Sequence, residues 1–101
     1  MNHEKLVRDK IPEIIEGSGR AAKVRILSDE EYKIQLEKKL SEEVAEYQKD
    51  KTPEELCDIL EVVFALAETH GITRDELEEM RLEKALLRGG FNKKLYLIVT
   101  E

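Results

Sequence analysis

L-E-K-K-L-S-E-E-V-A-E-Y-Q-K-D-K-T-P-E-E-L-C-D-I-L-E-V-V-F-A-L, running from Leu36 to Leu66, is the stretch whose reading decides the fold. Apolar residues recur at helical spacing on both sides of a short K-D-K-T-P break, so the stretch reads as two helices joined by a turn. Each helix carries two carboxylates three residues apart: Glu43 and Glu46 before the break, Glu55 and Asp58 after it. Residues three apart share one face of a helix. Two such helices packed antiparallel can bring all four carboxylates to one point.

Outward from the break, the helix signals are explicit. Ser28 is an N-cap with Glu31 completing a capping box, which starts the first long helix near Asp29 and carries it to Asp50. Thr52 caps the next helix, with Pro53 in its first position and Glu55 three residues past the cap. That helix runs to His70 and stops at Gly71. Thr73 and Glu76 form a second box, and the last helix ends at Arg88 before Gly89-Gly90. Upstream, Pro12 opens a short helix that Gly17-Ser18-Gly19 closes, after a charged start over residues 1–10 that reads as extended or loop-like. Ala22 to Leu27 alternates apolar and basic residues, and the tail K-L-Y-L-I-V-T is apolar and β-branched, so both read as strands. The expected fold is an all-α bundle with one or two short β-strands near the N- and C-termini. It forms a single domain over 1–101, and the strands pair within the chain or across a dimer.

Wheel geometry separates the acidic pairs from ordinary surface charge. Leu36, Leu40 and Tyr47 form the core stripe of the first long helix, and the position that completes it is Glu43. On the next helix Glu55 falls within a wide apolar arc that includes Leu56, Ile59, Val62, Val63 and Leu66, and Asp58 borders the same edge. A carboxylate beside a core is costly unless paired or metal-bound. No basic residue occupies those stripes, so four like charges are expected to call for a divalent cation. An all-oxygen donor set suits Mg²⁺ or Mn²⁺, and no His or Cys cluster favours zinc.

Composition narrows the classes further. A net charge of −6 on 101 residues argues against nucleic acid and anionic membranes as partners. A chain this short buries a modest core, which makes a homodimer or homotetramer the expected state. The single cysteine, Cys57, excludes an internal disulfide and suits a reducing, cytoplasmic compartment; its simplest role is helix packing. The N-terminus shows no signal peptide, and no apolar run is long enough to span a bilayer.

Glu43-Val-Ala-Glu46 and Glu55-Leu-Cys-Asp58 resemble the E-x-x-E and E-x-x-D pairs of the MazG-like all-α nucleoside triphosphate pyrophosphohydrolases. K-L-V-R-D-K-I-P-E-I-I, R-I-L-S-D-E-E-Y and R-G-G-F extend the likeness to a phosphoribosyl-ATP pyrophosphohydrolase-like subgroup. The resemblance implies Mg²⁺ held by Glu43, Glu46, Glu55 and Asp58. It also implies hydrolysis of a nucleotide between the α and β phosphates, releasing pyrophosphate and a monophosphate, in a house-cleaning role. Either Glu43 or Glu46 would take the proton of the attacking water.

Lys5, Arg8 and Lys10 form a basic cluster that reads either as a solvated terminus or, by the resemblance, as a phosphate-binding group, with Arg8 suited to bidentate contact. Lys84 and Arg88 complement the dipole at a helix C-terminus, and the resemblance adds a role in nucleotide binding. Tyr32, Tyr47 and Tyr96 are candidates for stacking on a base, with packing the simpler role for Tyr47. Two other functions compete with triphosphate hydrolysis. One is the phosphoribosyl-ATP step of histidine biosynthesis; the other is a non-catalytic helical module that dimerises or senses a nucleotide.

Overall fold

The computed structural model describes residues 4–101 and contains four helices. They are α1 (Ile11–Gly17), α2 (Asp29–Asp50), α3 (Pro53–Thr69) and α4 (Arg74–Arg88). The expected start of the chain is irregular over residues 4–10; residues 1–3, His3 among them, lie outside the described residues.

Capping chemistry sets most of these boundaries. Ser28 accepts from the Glu31 backbone N–H while Glu31 reaches back to the Ser28 N–H, and Thr73 and Glu76 repeat the exchange at α4. At α3 only part of the expected cap forms. Thr52 is extended, but its side chain makes no capping hydrogen bond, and the Glu55 N–H bonds the Thr52 carbonyl instead. The turn between α2 and α3 is two residues long, Lys51 and Thr52. Lys51 adopts the left-handed conformation (φ 55°, ψ 38°), and its N–H bonds the Tyr47 carbonyl at 2.7 Å. A left-handed residue at this point ends the helix and reverses the chain. So short a connection folds α3 back along α2 as an antiparallel hairpin.

That hairpin is the centre of the molecule. α3 packs against α2 along most of its length and touches α4 less extensively; α1 packs against no other helix. The Arg74 guanidinium lies 4.3 Å from the centre of the Phe64 ring, which pins the start of α4 to α3. Among the described residues three apolar ones are buried: Leu36 (3% exposed), Val62 (8%) and Ala67 (6%). Leu36 anchors the stripe expected on α2, with Leu40 and Tyr47 half-buried beside it.

Much apolar surface is left uncovered. Ile34 on α2, Leu56 and Leu60 on α3, Leu86 and Leu87 on α4, and most of the tail from Phe91 to Val99 face solvent. The radius of gyration is 17.9 Å, against about 13 Å for a compact domain of this length. Cys57 is exposed too, which corrects its expected packing role within the chain.

Among the described residues no strand forms. Ala22–Leu27 and the tail beyond Lys94 are irregular, with Ile26, Leu97 and Ile98 exposed. The alternating pattern is real, but a strand needs a neighbour to take its N–H and C=O groups. No ladder joins these two segments in the single chain. Also among the described residues, no helix is long and apolar enough to cross a membrane.

Candidate functional site

The two-residue turn determines what meets what. Because α3 runs back along α2, the last turns of α2 face the first turns of α3, and the acidic pairs come together. Glu43, Glu55 and Asp58 each offer a carboxylate oxygen, and the three lie within 4.8 Å of one another. Glu46, Asp50 and Glu55 form a second such group. Glu55 belongs to both.

Burial follows the wheel. The Glu43 side chain is 15% exposed, as its place in the stripe requires. Glu55 and Asp58 are half-buried, while Glu46 and Asp50 are exposed. Loss of hydration, and then repulsion from Asp50, Asp58, Glu46 and Glu43, raises the Glu55 carboxyl above its ordinary range.

The cluster is not without counter-charge, which corrects one expectation. The Arg8 guanidinium donates to Asp58 Oδ1 at 2.7 Å. Lys39 Nζ stands 3.7 Å from both Glu43 Oε1 and Glu42 Oε2. Lys39 lies one turn before Glu43 on the same helix face, a spacing visible in the sequence. Asp50 was also within reach of sequence reasoning, one turn after Glu46. Arg8 meeting Asp58 was not, because no periodicity connects residues so far apart.

The remaining basic candidates are not brought to the cluster. Lys5, Lys10, Lys84 and Arg88 are exposed and form no ion pair among the described residues. Tyr32 lines two shallow depressions, one with Glu68 and Thr69 and the other with Leu6, Asp9 and Arg25. Those depressions sit eleven residues before Glu43, about 16 Å along α2, and are separate from the carboxylates. Tyr96 is exposed on the tail.

The donor set fits a hard divalent cation. All its ligand atoms are carboxylate oxygens, and no imidazole or thiol belongs to either group. Oxygens bound to one Mg²⁺ at about 2.1 Å stand roughly 3.0 Å apart when adjacent and 4.2 Å when opposed. Three oxygens on one ion include at least two adjacent pairs, so a set whose atoms lie within 4.8 Å would draw together by up to about 1.8 Å around the ion.

No protein-family model matches the chain. A protein of Mycolicibacterium smegmatis, described only as uncharacterized, is 61% identical over 41 residues, which is 41% of this chain. The matched region spans 42% of that relative's length. No solved structure matches.

Proposed function

We propose that this chain is a Mg²⁺-dependent nucleotide pyrophosphohydrolase of MazG-like type, which cleaves between the α and β phosphates and releases pyrophosphate and a monophosphate. The convergence of Glu43, Glu55 and Asp58 on one volume carries the reading. Hydrolysing a phosphoanhydride requires neutralised phosphate charge and an activated water. An acidic protein achieves the first only through a cation.

Glu43, Glu55 and Asp58 would hold the ion, with Glu46 beside them. Once bound, the ion supplies charge neutralisation on the phosphates and a more acidic water. Glu43 is largely enclosed, neighbours Lys39 and belongs to the three-carboxylate group. Glu46 is exposed and lies outside that group. Glu46 is therefore the carboxylate left to accept the proton of the attacking water. Nucleotide-pool house-cleaning is the role that best suits such an activity. Arg8, beside Asp58, would bring positive charge to the side from which a phosphate chain approaches, with Lys5 and Lys10 on the same N-terminal segment.

Self-association belongs to the same reading. The accessible surface is 9560 Å², whereas a compact monomer of 11.7 kDa exposes about 5,900 Å². A second copy is the simplest cover for the exposed faces of α3 and α4. In such an assembly Ala22–Leu27 and Leu95–Val99 would find the ladder partners they lack in one chain. Lys84 and Arg88 would then reach the site by way of the neighbouring copy.

A pyrophosphate-release assay with Mg²⁺ over canonical and damaged nucleoside triphosphates tests the proposal. Turnover of at least one, abolished by Asp58→Asn, is the expected result. Turnover of phosphoribosyl-ATP alone would move the protein to histidine biosynthesis. Intact nucleotide bound with metal and never cleaved would make it a sensor module.

A further inference from the structure

Arg8 makes a hydrogen bond unlike any other among the described residues. Its hydrogen bond to Asp58 joins residues fifty positions apart, while every other side-chain hydrogen bond among the described residues spans six positions or fewer. α1 packs against no other helix, and this bond ties the N-terminal segment, where Leu6 and Val7 are half-buried, to the hairpin. The bond ends on a carboxylate of the cluster itself. Lys39, the other cation nearby, stands 3.7 Å from Glu43, beyond hydrogen-bond length.

We infer that Arg8 is the cluster's resident cation: it neutralises Asp58 while no divalent ion is bound, and an ion entering the cluster displaces its guanidinium. The inference rests on reading the cluster as a divalent-cation site. Two observations favour exchange over a permanent bridge. The pair is solvent-accessible, with Arg8 56% and Asp58 42% exposed, so the bond is weak by the standard of exposed ion pairs. The guanidinium also meets one carboxylate, whereas a divalent ion would meet three at once. Arg8 is carried on irregular chain rather than on a helix, so its side chain can withdraw without unpacking α2 or α3. Displaced but still tethered beside the site, it presents its fork to the next anion to arrive, a phosphate group.

The test uses the full-length protein and no nucleotide. Arginine side-chain NMR of the wild-type chain, titrated with Mg²⁺, follows Arg8 directly. Mn²⁺ binding is measured in parallel on wild type, Arg8→Gln, Arg8→Lys and Asp58→Asn. The expected result is loss of the Arg8–Asp58 signature as the ion binds. Arg8→Gln should bind Mn²⁺ up to about fivefold more tightly than wild type, the scale of an exposed ion pair, with Arg8→Lys in between. An Arg8 signal unchanged at saturating Mg²⁺, or equal Mn²⁺ affinity in wild type and Arg8→Gln, overturns the displacement while leaving the cation site intact. Equal Mn²⁺ affinity in wild type and Asp58→Asn overturns both.

Discussion

Tenfold dilution should lower the melting temperature of this protein by about 3 to 6 °C. A single chain exposes about 3,700 Å² more surface than a compact protein of its mass, from its 9560 Å² and 11.7 kDa. Obligate interfaces remove about 2,000 to 5,000 Å² in total, half from each partner, so the surplus is ample for one. With only Leu36, Val62 and Ala67 buried among the described residues, little of the stabilising burial is internal to one chain. Unfolding then includes dissociation, and each tenfold dilution shifts the balance by about 1.4 kcal/mol. For a two-chain unit of about 200 residues, 1 kcal/mol moves the midpoint by about 2 to 4 °C, which gives the stated range. Thermal melts by circular dichroism over about a hundredfold concentration range, beside sedimentation equilibrium, make the measurement. A midpoint independent of concentration, together with a monomeric mass, would refute the reasoning.

Four further outcomes follow from the same geometry. Glu46→Gln should lower kcat by about 10²- to 10⁴-fold as loss of a general base, while Asp58→Asn should also weaken Mn²⁺ binding; kinetics and metal titration separate the two. Protonation competes with the ion at Glu55, so metal affinity should begin to fall at a pH above the ordinary glutamate range, readable by titration calorimetry across pH. Glu31 is held down to about 2 by its hydrogen bond to Arg25 and by the cap, from an ordinary value of 4.5. Its stabilising contribution is therefore complete above about pH 4.5 and is lost as pH falls towards 2; acid melts of Arg25→Gln should show a smaller loss in that window. Ser28→Ala should cost about 0.5 to 2 kcal/mol in denaturant unfolding, and Thr52→Ala much less, because only Ser28 makes the capping bond.

The helical part of this fold was legible because its signals are local. Ser28, Thr73 and Pro53 place three helix starts, and the spacing of Leu36, Leu40 and Tyr47 places Glu43 beside the core. The meeting of the acidic pairs followed from one turn, Lys51–Thr52, too short to allow anything but reversal. What failed was non-local. The alternation in Ala22–Leu27 identifies a segment fit for a ladder, yet says nothing of whether a partner is present. The Thr52 cap was misjudged for another reason: residue type and spacing permit a hydroxyl cap without compelling one, and the Glu55 N–H bonds the Thr52 carbonyl instead. Arg8 and Asp58 share no pattern at all, so their contact could be found only in three dimensions.

The tightness of the Lys51–Thr52 turn also bears on timing. Every carboxylate of the cluster comes from one contiguous stretch, Glu43 to Asp58, closed by contacts between near neighbours in sequence. Structure of that kind forms early, because little loop entropy is lost in closing it. On folding, the acidic site would therefore assemble before α4 and the tail take their places. Lys39 is already beside Glu43 when the hairpin closes, and Arg8 is then the first cation to reach the site from outside it.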